Sequence, residues 1–252
     1  MTSSAYYPDL EGKRVLVTGA SSGIGRATAE AFLAQGAFVA GQHRRAKSAM
    51  AGLLKAYGDR LLAVRADLST EAGCVDAFKK SLAYRDGLDV VVHCAGIWNE
   101  GPIRELRREN LETMFRVNTF SAYYLAREAA RSIRTGSLIF IGSTAGQRGE
   151  PGHGHYAGSK GAVQSLVYSI AQELAPAIRV NLISPGWVRT PMAARALEAR
   201  EGAIVAAVPL RRVAEAEDVA RAALFLASDV SRHLTGVDLC CSGGALLPMP
   251  RG

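Results

Sequence analysis

No stretch of the 252 residues is apolar for long enough to span a bilayer as a helix. Met1 to Asp9 is short and polar and lacks the apolar core of a secretory leader, so a cytoplasmic location is expected. Cysteine is scarce. Cys74, Cys94, Cys240 and Cys241 show neither a C-x-x-C spacing nor histidines at zinc-finger distance, so no metal site is expected. Cys240 and Cys241 are adjacent, which is poor geometry for a mutual disulfide. All four read as reduced, mostly buried small apolar residues. Repeats, low-complexity tracts and linkers are missing too, leaving one domain over residues 1–252.

A concentrated basic surface is also lacking, despite a net charge of +7. The densest basic spots are His43-Arg44-Arg45-Ala46-Lys47 and Arg104 to Arg116. The second is interleaved with Glu105, Glu109 and Glu112, as on a solvated helix face. Charge therefore argues modestly for anionic small ligands and weakly for nucleic acid, so no nucleic-acid or membrane partner is expected.

What is present is organised around Arg14 to Arg26. Val15-Leu16-Val17 is an uninterrupted apolar run suited to a strand buried on both faces of a parallel sheet. A glycine turn follows, and then helix formers from Ala27 to Ala34. Gly19, Gly23 and Gly25 leave room for a diphosphate to approach the amides at the helix start. Their G-x-x-x-G-x-G spacing is neither G-x-G-x-x-G nor a Walker loop, and a plain tight β-to-α turn is the alternative.

Further strands are expected at 36–41, 61–64, 88–92, 137–141, 178–183 and 237–241. Helices are expected at 46–57, 70–84 (N-capped by Ser69), 104–131, 155–175 and 215–227. Residues 188–213 show no strand period and read as short helices forming a lid over the sheet edge. This alternation predicts an α/β fold: a single doubly wound, Rossmann-type parallel sheet of about seven strands with helices on both faces. Ligands then belong beyond the carboxyl ends of the strands.

Tyr156 and Lys160 stand one helical turn apart and share a face. A phenol is a poor base at neutral pH, and a nearby ammonium is expected to lower its pKa and ready it for proton exchange with an alcohol or carbonyl. Ser143, 13 residues earlier, follows a strand at the carboxyl edge and is placed to hold a substrate oxygen. Asn118 is a second polar candidate.

Together with Thr18 to Gly25, Asp67-Leu68, Ala95-Gly96, Pro185-Gly186 and Thr190, these residues resemble the short-chain dehydrogenase/reductase family over essentially the whole chain. The layout is most similar to 3-oxoacyl-(acyl-carrier-protein) reductases. The resemblance implies Tyr156 as general acid/base, Lys160 as its tuner and a nicotinamide-ribose ligand, Ser143 as a donor to the substrate oxygen, and Asn118 as holder of a relay water. It also implies that Gly19, Ser21, Ser22, Gly23, Ile24 and Gly25 line the diphosphate and ribose. Asp67 and Leu68 would contact the adenine. Val188 and Thr190 would fix the carboxamide, with Ala95, Gly96, Pro185 and Gly186 completing the cofactor site. The chain departs from the family in having His93-Cys94 where Asn-Asn is usual, and His93 is expected to be structural.

The implied activity is NADP(H)-dependent hydride transfer between nicotinamide and a carbonyl or secondary alcohol. An NAD-dependent alcohol dehydrogenase and a non-catalytic dinucleotide sensor are the alternatives. NADP(H) is favoured because His43 stands where an aspartate would repel a 2′-phosphate, Arg44 follows it, and no carboxylate lies between Glu30 and Asp59. Arg45 or Lys47 would add to the field, whereas Ser22 occupies a position that is often basic in NADP users. His153 and His155 read as loop polarity or as a substrate contact, and Trp98 and Trp187 as packing or a substrate wall. The long helices carry apolar residues on more than one face, Leu166, Tyr168 and Ile170 among them, so a homotetramer, or failing that a dimer, is expected.

Overall fold

The computed structural model describes residues 5–44 and 47–248. Arg45 and Ala46, and the side chain of Lys47, lie outside the described residues, and with them one part of the basic turn after the second strand.

Seven parallel strands form one sheet in the order β3-β2-β1-β4-β5-β6-β9, agreeing with the expected number and arrangement. They are β1 (Arg14–Thr18), β2 (Phe38–His43), β3 (Leu61–Arg65), β4 (Val90–His93), β5 (Gly136–Ile141), β6 (Ile178–Pro185) and β9 (Asp238–Cys241). Strand order reverses between β1 and β4, where Thr18 and His93 are register partners at the carboxyl edge. A crevice must open there, because the connections leave in opposite directions.

Alternation along each strand divides the core in two. Val15, Val17, Val39, Ile139 and Ile183 face the layer that contains Phe32 of α1 (Gly23–Ala34) and Leu224 of α9 (Ala216–Ala227). Leu16, Ala40, Val91, Phe140 and Leu182 face the opposite layer. That layer is built from α3 (Glu71–Tyr84), α5 (Ser121–Ser132) and α7 (Gly154–Leu174).

Four local readings are corrected. Thr70, not Ser69, caps α3, its Oγ1 accepting from the Gly73 amide at 3.1 Å. The helix expected at 104–131 begins at Arg108. Its first part, α4 (Arg108–Phe115), passes through a π-helical turn at Arg116–Phe120 before α5. The segment expected at 46–57 becomes a 3₁₀ turn, Lys47–Met50, followed by α2 (Ala51–Tyr57). Residues 188–213 are not purely helical. A short strand β7 (Val188–Arg189) pairs in parallel with β8 (Ala214–Glu215), so the segment carrying α8 (Ala194–Ala206) is pinched at its base. Arg189 reinforces the pinch by ion pairs to Glu201 at 2.6 Å and Glu215 at 3.2 Å.

Candidate active site

Ser143 directly follows β5 and Gly142, and caps the short helix α6 (Thr144–Arg148), its Oγ accepting from the Ala145 amide at 3.1 Å. Helix α6 lies so close to α7 that a Cβ on Gly146 would come within 2.9 Å of backbone atoms of Lys160 and Gly161. This approach brings Ser143 and Tyr156, from different elements, into one cleft wall together with Lys160.

Burial holds the Tyr156 phenol above its ordinary pKa, with the neighbouring Ser143 hydroxyl working in the opposite direction and Glu150 adding to the rise. Lys160 is buried, donates from Nζ to the Ile141 carbonyl at 2.8 Å, and is pushed down to about 8 by loss of hydration. Lys160 is not among the groups that shift the phenol here; burial of the ring sets the direction. The ammonium is engaged instead with the Ile141 carbonyl of β5.

Asn118 sits in the π-helical turn and is fully buried. Its Oδ1 accepts from the Ile97 amide at 2.8 Å, and its Nδ2 donates to the Ile97 carbonyl and to Ser159 Oγ, each at 3.0 Å. The side chain thus ties the loop after β4 to α7, behind the cleft. π-Turns concentrate at functional sites because the extra residue redirects a side chain without ending the helix.

His93 is buried at the strand reversal. Ser121 Oγ donates to the Val117 carbonyl at 2.6 Å, so it accepts from His93 Nε2 at 2.9 Å. His93 Nδ1 then accepts from Thr18 Oγ1 at 2.8 Å, and that oxygen in turn accepts from the Ala95 amide at 3.0 Å. This is the neutral imidazole, and burial pushes its pKa down to about 3, assisted by Lys160. His93 is structural, as expected from the sequence.

A second groove joins the cleft through Ile24, Cys94, Gly96, Ile97 and Thr190, which border both. Of the sequence-derived cofactor residues, Gly19, Ser21, Ser22, Gly23, Ile24, Gly25, Arg44, Asp67, Leu68, Ala95, Gly96 and Thr190 line the groove. Tyr156, Lys160, Pro185, Gly186 and Val188 line the cleft. His43 lies in neither wall: it is buried at the end of β2, whereas Gln42 and Arg44 face the groove. Gln42 is a site residue that motif reading missed. Its Oε1 accepts from the Gly19 amide at 3.0 Å and its Nε2 donates to the Ala66 carbonyl at 2.8 Å, fixing the glycine turn. Strand alternation from Arg44 was the available signal.

These residues fit a dinucleotide. A Cβ on Gly25 would stand 2.4 Å from the Gly19 carbonyl oxygen, so only glycine lets α1 begin this close to the turn. Ser22, the N-cap of α1, makes no side-chain cap, leaving the positive end of a twelve-residue helix available to an anion. Asp67 is held below the usual carboxylate range, first by the Ser69 amide and in smaller part by the Arg44 charge.

Neither histidine of the 153–155 pair lines the cleft. His153 stacks behind Trp98, and His155 Nε2 donates to Asn99 Oδ1 at 2.7 Å. Trp98 and Trp187 do line it, and both also pack, Trp98 on His153 and Trp187 against the cluster of Leu197 and Ile204.

The family model described as Enoyl-(Acyl carrier protein) reductase matches residues 19–245. The chain is 34% identical over 244 residues to the 3-oxoacyl-(acyl-carrier-protein) reductase FabG of Haemophilus influenzae, covering 94% of this chain and 100% of that protein. It is 34% identical over 240 residues to Nodulation protein G of a Rhizobium species, covering 94% and 98%. Among solved structures, the short-chain dehydrogenase/reductase (glucose/ribitol dehydrogenase) of Brucella melitensis superposes with a TM-score of 0.92 at 28% identity, covering 98% of this chain and 100% of that one.

Proposed function

The chain belongs to the short-chain dehydrogenase/reductase family of oxidoreductases, and we propose that it is an NADP(H)-dependent reductase of ketones. The observation that carries this reading is the meeting of Ser143, Tyr156 and Lys160 in one cleft continuous with the glycine groove. When bound, the nicotinamide supplies the hydride that the carbonyl carbon receives.

The chain's own residues handle the oxygen and the proton. Ser143 Oγ donates a hydrogen bond to the substrate oxygen, and Tyr156 Oη gives that oxygen its proton. A phenol whose pKa is raised by burial is held in the protonated form, which is the form needed to reduce. Lys160 Nζ, buried beside the same cleft, serves the cofactor ribose and restores charge balance when the phenol has given up its proton. Asn118 keeps Ile97 and α7 in place and supports a water that returns the proton to Tyr156.

Arg44 faces the groove and is exposed, in position for a charge-assisted fork to a 2′-phosphate. The names of the acyl-carrier-protein reductases make 3-oxoacyl thioesters the first substrates to test. Loss of the near-ultraviolet absorbance of NADPH with such a thioester or a simple activated ketone tests the reading. Absence of turnover with either, under conditions where cofactor binds, rejects it.

We further propose that the chain works in the cytoplasm as a homotetramer, or failing that a dimer. Phe120, Tyr123 and Tyr168 are 45%, 48% and 42% exposed around α5 and α7, an apolar surface that a partner subunit would cover. A monomeric mass by light scattering at micromolar concentration rejects the assembly.

A further inference from the structure

The proton-handling residues leave one side of the cleft unexplained, an aromatic corner. Both tryptophans of the chain stand in it. Trp98 comes from the loop after β4 and Trp187 from the turn after β6. Their ring centroids are 6.0 Å apart with planes at 79°. Each ring is braced from another element. His153 stacks on Trp98 with centroids 4.5 Å apart and planes 9° apart, and its own Nδ1 donates to the Pro151 carbonyl at 3.1 Å. The Arg200 guanidinium lies 5.3 Å from the centroid of the Trp187 ring, at the residue where α8 departs from helical dihedral angles. A continuous chain of ring contacts, His153–Trp98–Trp187–Arg200, therefore runs from the loop before α7 to the lid helix.

Braced rings have little freedom left to lose when a ligand arrives. Two perpendicular rings offer a flat ligand a face to stack on and an edge to meet, at the separations that aromatic pairs favour. A flexible acyl chain in the same corner gains burial alone and also gives up rotamer freedom. We infer that the preferred substrates are ketones whose carbonyl bears a planar aromatic or conjugated ring, packed against the corner that Trp98 and Trp187 form, with the carbonyl toward Ser143 and Tyr156. This inference rests on the carbonyl-reductase reading above and narrows its substrate class.

Binding and turnover separate the two. Since no other tryptophan exists in the chain, intrinsic fluorescence reports the corner directly. The probes are α-tetralone, a bicyclic aryl ketone, and an open-chain decanone of equal carbon count. Saturable quenching by α-tetralone is expected, with a kcat/KM roughly tenfold above that of decanone, the range two aromatic contacts supply. Trp98→Leu and Trp187→Leu should each cut that ratio about three- to tenfold, mainly through KM, while Trp98→Phe keeps most of it. Circular dichroism establishes that the variants fold. If a leucine variant does not, the parent ratio and the phenylalanine variant still decide. A parent ratio at or below one, with ketones turned over, overturns the inference and leaves the reductase reading standing. Saturable quenching without turnover of any ketone removes the reductase reading and the substrate assignment with it, leaving the corner as a site for aromatic ligands. Neither quenching nor turnover overturns both.

Discussion

His93 Nδ1 lies 2.8 Å from Thr18 Oγ1, and the two residues are register partners at the point where the strand order reverses. The imidazole must stay neutral to accept that hydrogen bond, and burial holds its pKa at about 3 against an ordinary value of 6.5. The unfolded chain therefore binds a proton at His93 that the folded chain refuses between these values. Stability from this group is intact above about pH 6.5 and is lost as pH falls toward 3, by up to about 1.4 kcal/mol per pH unit. His93→Gln keeps an acceptor and a donor but does not titrate. Urea unfolding should show the parent losing stability relative to His93→Gln by about 2 kcal/mol between pH 7 and pH 5. Parallel curves for the two proteins would place the proton elsewhere.

Tyr156→Phe removes the proton donor and keeps the ring, so packing around the cleft should change little. Turnover is expected to fall by about two to four orders of magnitude, with cofactor affinity within a few fold of the parent. Activity within a few fold of the parent would rule out Tyr156 as the acid.

Lys160 makes two contributions that Lys160→Met should remove together. Turnover and cofactor affinity are both expected to drop, since one ammonium serves the phenol and the ribose. The native lysine gives up its proton near 8, before the unfolded one near 10.5, so the buried charge penalises the fold below 8 and is relieved above it. The parent should therefore gain stability relative to Lys160→Met as pH rises across that window. A change in turnover with unchanged cofactor affinity would limit Lys160 to the phenol.

The large features were legible because their causes are local. Val15-Leu16-Val17 and Val90-Val91-Val92 are unbroken apolar runs, and a strand buried on both faces needs nothing else. The β7–β8 pair escaped notice because Val188-Arg189 and Ala214-Glu215 are two residues each, too short for any period. The π-turn was invisible for a different reason. Residue preferences barely distinguish α from π, and the extra residue is set by Asn118 reaching Ile97 and Ser159 across the fold. Gln42 carried no motif, and the expectation for His43 followed alignment to a family aspartate rather than the face on which the strand places its side chain. Nor did the Tyr156–Lys160 spacing reveal that Lys160 would turn to the Ile141 carbonyl.

Arg44→Asp replaces a groove-facing cation by a carboxylate where the adenosine end of a cofactor would lie. A 2′-phosphate is then repelled, while ribose hydroxyls gain an acceptor. NADPH should bind at least about tenfold more weakly, and NADH equally or better. The parent must show a higher kcat/KM with NADPH than with NADH. The opposite order in the parent removes the assignment.

Gly146 tests whether the α6–α7 approach, rather than the catalytic side chains alone, makes the site. A methyl at this position meets backbone atoms of Lys160 and Gly161 at 2.9 Å, and backbone cannot swing aside as a side-chain tip can. Gly146→Ala must therefore push α6 from α7, and Ser143, which caps α6, moves with it. The overpacking should cost about 1–3 kcal/mol of stability. Because Ser143 and Tyr156 are displaced from each other while the glycine groove is untouched, kcat should fall by about tenfold or more with cofactor affinity nearly constant. Gly202→Ala is the control. It lies in α8 with nothing within 4 Å of the added methyl, and should be neutral or stabilise by up to about 1 kcal/mol through helix propensity. If Gly146→Ala behaves like Gly202→Ala in both stability and kcat, the helix approach does not position Ser143.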